Sequence, residues 1–166
     1  MKKIFIRIFI QGLGIGIICI SFRILWQSRK NLKQIIRDKE KRIDKFWGYF
    51  NMLDKWLLAK ENNKCLGQVL MDMGYHKIAI YGLGKMGEHL LAELQNSQIE
   101  IVCGIDKKNE QKNNNLVCYQ VGDSIPEVDA IIVTSTFDFY NIKNELKQYT
   151  VCDIVSLEEV ILKCER

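Results

Sequence analysis

Residues 77–106 constrain this chain more than any other stretch. Lys77-Ile78-Ala79-Ile80-Tyr81 is a compact apolar run of the kind that suits a strand buried on both faces. It runs without a spacer into Gly82-Leu83-Gly84-Lys85-Met86-Gly87. Residues 88–96 then follow helical spacing, and residues 99–105 form a second apolar run that stops at Asp106. A strand, a glycine turn, a helix and a second strand ending in an acid leave few folds open. The natural solution is a parallel pair joined by a right-handed helical crossover.

The three glycines answer separate physical needs. Gly82 permits a tight turn out of the strand, and Gly84 has no Cβ to keep a pyrophosphate off the backbone. Gly87 lets helix and strand pack closely. The free N–H groups that open the helix, with Leu83, Lys85 and Met86 completing the loop, then attract phosphate. Asp106 stands 24 residues after Gly82. A carboxylate there accepts ribose hydroxyls, which favours NAD over NADP, whereas Lys107 and Lys108 beside it suit a 2′-phosphate. Asp106 also reads as a simple turn residue.

Beyond this segment the alternation continues. Residues 107–115 read as a polar loop, residues 116–119 as a short third strand, and residues 128–134 as a fourth. A helix over 137–148 and a fifth strand over 151–155 follow. Ser156 is placed to cap a last helix whose first turn carries Glu158 and Glu159. The expected fold is α/β: a small Rossmann-like parallel sheet with an N-terminal helical extension. Thr134, Ser135 and Thr136 fall at the carboxyl edge of that sheet, where open α/β folds take ligands. Their hydroxyls suit a sugar or phosphate, and equally suit capping of the next helix. The cofactor-binding set is therefore Gly82, Leu83, Gly84, Lys85, Met86, Gly87, Asp106, Thr134 and Ser135, with NAD or a nucleotide-sugar as the ligand.

The first 73 residues are different in kind. Residues 1–26 hold a charge-free stretch, 8–22, bracketed by Arg7 and Arg23. Fifteen helical residues span about 22 Å, short of the roughly 30 Å hydrocarbon core. The segment reads as a membrane anchor or interfacial helix, as a helix packed on protein, or as a signal sequence without a small-residue cleavage site. Residues 27–73 read as a helical extension. Leu32, Ile36, Ile43, Phe46, Phe50, Leu53 and Leu57 recur at three- and four-residue steps, with Lys39 interrupting. That stripe suits packing on the following domain or a short coiled coil, which makes a homodimer through this helix a candidate. Trp47 and Trp56 look like packing anchors. Asn62-Asn63-Lys64 reads as a break, residues 66–73 as a short helix, and Gly74 as its C-terminal cap. The Rossmann-like domain is expected over 74–166.

Composition removes several function classes. The net charge is only +4 and no helix-turn-helix, zinc-finger or RNA-recognition signature is present, so nucleic acid is not an expected partner. The six cysteines form no C-x-x-C pair and only two histidines exist, which argues against zinc and for reduced thiols. His89, just past the glycine loop, reads as a surface residue, and His76 falls at the far end of the sheet from the ligand edge. Tyr81 and Lys85 have Tyr-x-x-x-Lys spacing but straddle a strand and its turn, so they cannot act as the helical acid–base pair of short-chain reductases. No catalytic residue is assigned.

The segment KIAIYGLGKMGEHLLAELQNSQIEIVCGIDKK, followed by VDAIIVTSTFDFYNIKNEL, resembles the small Rossmann-like domains of bacterial capsule, exopolysaccharide and O-antigen gene clusters. These are nucleoside-diphosphate-sugar epimerase-like and similar to the N-terminal domain of sugar acyltransferases. The resemblance covers roughly residues 45–160, and matches the family's glycine loop at Gly82, Gly84 and Gly87 and its acid at Asp106. It implies a nucleotide-binding accessory protein of cell-surface polysaccharide synthesis with a partner protein of that pathway. Six thiols read as reduced give a cytoplasmic location, with attachment to the inner membrane face through residues 1–26 as an extension. The left-handed β-helix repeats of the acyltransferases are missing. The alternatives are a small NAD-dependent oxidoreductase or epimerase completed by dimerisation, and a structural adaptor with a vestigial site.

Overall fold

The computed structural model describes the backbone of residues 2–107 and 116–164, and the side chains of 20–107 and 116–164. The chain divides into two compact units, Met1–Gly48 and Tyr49–Arg166. The first is helical from Lys2 onward. Its helix, α1, is continuous over Lys2–Glu61, so no break falls at the 26/27 boundary read from the sequence. The side chains of residues 1–19 lie outside the described residues, and with them most of the charge-free stretch. Among the described residues, no helix is long and apolar enough to cross a membrane.

α1 ends where the amides demanded. Asn63 takes a left-handed φ of 56°, and the Asn62, Asn63 and Lys64 amides bond back to the Leu58, Lys60 and Ala59 carbonyls. Left-handed closure of this kind satisfies carbonyls that the helix itself leaves open, and asparagine tolerates it. The second helix, α2 (Leu66–Asp72), closes in the same way. Gly74 has φ +86°, and the Gly74 and Tyr75 amides bond to the Met71 and Leu70 carbonyls.

The α/β alternation then follows: β1 (Lys77–Tyr81), α3 (Lys85–Leu94), β2 (Glu100–Ile105), β3 (Cys118–Tyr119) and β4 (Ala130–Val133). A 3-10 turn, Thr136–Asp138, leads into α4 (Phe139–Leu146), and β5 (Asp153–Ser156) and α5 (Leu157–Cys164) complete the chain. The five strands form one sheet, all parallel, in the order β3-β2-β1-β4-β5. Most of the polar loop read over 107–115 lies outside the described residues.

Two cores sandwich the sheet. Ile78 and Ile80 point to one side, with Ile132 and Val155, against Leu70, Leu90, Leu94, Val160 and Ile161 of the flanking helices. Ala79 and Tyr81 point to the other side, with Cys103, Ile105, Ile131 and Val133, against Ile142 and Leu146 of α4. This is why β1 reads as a continuous apolar run: both faces are covered. Met52, Trp56 and Ala59 from the end of α1 join the first core, so the compact α/β unit begins at Tyr49, well before 74.

The face of α1 that packs is not the stripe read from the spacing. Tyr49, Met52, Trp56 and Ala59 bury or half-bury, while Leu32, Ile36, Ile43, Phe46, Phe50, Leu53 and Leu57 all stay exposed. Trp56 is an anchor as expected; Trp47 is 60% exposed. The Trp56 indole N–H donates to Glu93 Oε2 at 3.2 Å, Lys60 Nζ pairs with the same oxygen at 2.6 Å, and the Leu66 amide donates to Oε1 at 3.2 Å. The Glu93 side chain is only 4% exposed, and these three donors are what make its burial tolerable. One carboxylate thereby ties α1, α2 and α3 together.

Candidate functional site

The strand order reverses at β1, whose neighbours are β2 on one side and β4 on the other. Chains leave the carboxyl ends of β1 and β4 toward opposite faces of such a sheet, which opens a crevice between them. The glycine turn follows β1 directly, at that crevice.

Within the turn the three glycines differ sharply. Gly82 sits at φ +89°, a left-handed conformation that β-carbon-bearing residues rarely adopt, and an added Cβ would meet Thr134 Oγ1 at 2.7 Å. At Gly87 an added Cβ would run into the carbonyl oxygen of Gly82, well inside contact distance. Gly84 has an ordinary φ of −68°, and a Cβ there would meet nothing within 4 Å. Two of the glycines are therefore required by the protein itself. The third borders open space at the N-cap of α3, and no side chain caps that helix.

Other sequence-designated residues gather round this turn. The Leu83 amide donates to Asp106 Oδ2 at 3.0 Å, so the acid after β2 braces the loop. Leu83 itself folds over Gly104, where an added Cβ would meet Leu83 Cδ1 at 2.6 Å. Met86 packs on the first core, and Lys85 extends to the surface, its Nζ 2.7 Å from Glu88 Oε2. Thr134 is buried. Its single hydroxyl proton is shared between the carbonyls of Gly82, at 2.7 Å, and Tyr81, at 3.1 Å, pinning the end of β1 to the end of β4. Ser135 and Thr136 are half-buried beside it. Ser135 is the N-cap of the 3-10 turn and Asp138 that of α4, and neither makes a side-chain cap hydrogen bond, so the expected hydroxyl capping is not formed here. It is formed at α5, where Ser156 Oγ accepts the Glu158 amide at 3.3 Å.

Lys107 is ion-paired across to α4. Its Nζ lies 3.2 Å from Glu145 Oε2 of α4, and that hydrogen bond holds the ammonium above its ordinary range. Lys108 lies outside the described residues. His89 is exposed on α3, and His76 is exposed at the amino end of β1. There the His76 and Lys77 amides donate to Asp129 Oδ2 at 2.8 and 2.7 Å, a structural clamp far from the turn.

Two residues to which the sequence reading gave no role matter at this edge. Gly104 is needed for Leu83 to seat, and inside an apolar strand it carried a weak signal of close approach. Tyr81 closes β1, is 4% exposed, and has a hydroxyl with no hydrogen-bond partner among the described residues. Burial pushes this phenol above its usual range. Lys107 acts against that shift, and Glu145, Asp106 and Asp138 add to it. A phenol ending an otherwise purely aliphatic buried strand was the available clue.

Among the described residues, no group of three or more His, Cys, Asp or Glu side chains is placed to hold an ion. The five described cysteines are all unpaired thiols. Two described grooves lie away from the turn. One of about 510 Å³ runs between residues 124–128 and 147–152, and one of about 600 Å³ lies along β5 beside Tyr75 and Glu159.

The all-parallel order 3-2-1-4-5, with a glycine turn after the first strand and an acid after the second, defines an α/β domain of the Rossmann type. Among known families, the profile described as C2185-like, N-terminal, matches residues 74–154, which run from the cap of α2 into β5. No curated protein and no solved structure matches the chain.

Proposed function

We propose that this protein binds a nucleotide, with NAD or a nucleotide-sugar as ligand, at the turn formed by Gly82, Leu83, Gly84, Lys85, Met86 and Gly87. One observation carries the reading: Gly84 borders open space at an uncapped helix N-terminus, at the reversal point of the sheet. An anionic diphosphate suits that position, because the first amides of α3 have no intrahelical partners and its dipole favours negative charge. Asp106 supplies an acceptor on the ribose side, and Thr134 acts by holding the turn in shape. In this reading the Asp106 carboxylate, which suits free ribose hydroxyls, favours NAD over NADP. The resemblance to small domains of polysaccharide gene clusters supports the role of an accessory nucleotide-binding protein of cell-surface polysaccharide synthesis, with catalysis supplied by a partner.

The test is a thermal melt of the full chain with NAD, NADP, UDP-sugars and CDP-sugars. A ligand at 100 times its Kd stabilises by about 2.7 kcal/mol. Gly84→Val should abolish that shift. No shift with any of them overturns the reading. It would favour a structural adaptor, an alternative supported by the Leu83 amide, which is already taken by Asp106.

A further inference from the structure

We infer that Tyr81 is a ligand contact, its hydroxyl donating to a base or ribose heteroatom of the nucleoside half of the molecule held at the glycine turn. The inference rests on the nucleotide reading above and adds to it the residue that recognises the nucleoside.

Tyr81 pairs with Ile105 of β2 and with Val133 of β4, so it is the carboxyl-terminal residue of the central strand at the level where the crevice opens. Its ring belongs to the core on the α4 side, with Ile105, Val133, Ile142 and Leu146. The residue is 96% buried by exposure of 4%, and its oxygen is sealed from solvent without a partner among the described residues. Buried hydroxyls are nearly always hydrogen-bonded, and each exception calls for a reason. Phenylalanine would fill the same volume without the cost of a dry hydroxyl. The charged groups that act on the phenol are Lys107, Glu145, Asp106 and Asp138. Asp106 and Lys107 directly follow β2, and Asp138 ends the turn after β4. Glu145 lies in the last turn of α4, ion-paired with Lys107, and Tyr81 itself closes β1 level with Ile105 and Val133, so the phenol stands beneath the carboxyl edge on the α4 side. The Lys107–Glu145 pair beside it is exposed on both members, at 62% and 41%, and such pairs open at little cost. A nucleoside atom that reaches the hydroxyl supplies the missing partner.

The experiment compares the full-length protein with Tyr81→Phe, using NAD and inorganic pyrophosphate as probes, by calorimetry and melting. The inference expects an unliganded melting temperature no lower than wild type, NAD binding weakened about tenfold, and pyrophosphate binding unchanged. Equal NAD affinity in the two proteins overturns it and leaves the nucleotide reading standing. Failure of wild type to bind pyrophosphate, NAD and every other nucleotide of the melting screen overturns both. A Tyr81→Phe chain that does not fold, or melts well below wild type, also overturns it, because the hydroxyl would then have its partner inside the protein.

Discussion

One methyl group added at Gly87 and one added at Gly84 should have opposite consequences, although both glycines belong to the same turn. At Gly87 the new Cβ lands on the Gly82 carbonyl oxygen. That oxygen is backbone, fixed by the Thr134 hydroxyl at 2.7 Å, and cannot rotate aside. Overpacking costs about 1–3 kcal/mol, and rigid backbone puts this case at the upper end. Helix propensity returns up to about 1 kcal/mol on replacing glycine by alanine. The net loss is about 2 kcal/mol. For a chain of 166 residues, at about 2–4 °C per kcal/mol, melting should fall by roughly 4–8 °C. At Gly84 the Cβ enters open space at φ −68°. Alanine is the poorer N-cap, but the unfolded chain loses freedom, and these effects are each about 1 kcal/mol or less and opposed. Gly84→Ala should therefore melt within about 4 °C of wild type while losing most of its ligand-induced shift. Melting by circular dichroism, with and without NAD, reads both quantities. If Gly84→Ala melts as low as Gly87→Ala, or Gly87→Ala is silent, the division between structural and ligand-facing glycines is wrong.

Three further outcomes follow from the same structure. Thr134→Val keeps the shape and the backbone amide bond to the Tyr81 carbonyl but leaves the Gly82 carbonyl without its hydroxyl donor, so urea unfolding should show a loss of about 1–3 kcal/mol; a silent variant would mean the turn holds without that pin. Trp56→Ala should cost about 3–5 kcal/mol, while Phe46→Ala, on the same helix but 70% exposed, should stay within about 0.5 kcal/mol under conditions where the protein is monomeric. In thiol labelling at pH 8, exposed Cys65 should react first among the five described cysteines. Cys103, whose thiol burial pushes up to about 11, should react only on unfolding, and fast native labelling there would contradict its place in the core.

The α/β class, the parallel strands and the position of the turn were legible in the amino-acid order alone. Each depends on local chemistry: two-sided burial writes a continuous apolar run, and a left-handed corner demands glycine. The caps at Asn63, Gly74 and Ser156 were legible for the same reason, since a helix end is completed by residues adjacent to it. The strand order, the packed face of α1 and the work of Thr134, Leu83 and Lys107 were not. Leu53 and Leu57 are as apolar as Met52 and Trp56, and hydropathy does not say which face meets a partner. Only the tertiary structure decides that, because the choice depends on Glu93 of α3 lying within reach of the Trp56 indole and Lys60. Likewise only the sheet brings Thr134 to Gly82, 52 residues earlier, and turns a hydroxyl that suited a helix cap into the pin of the turn.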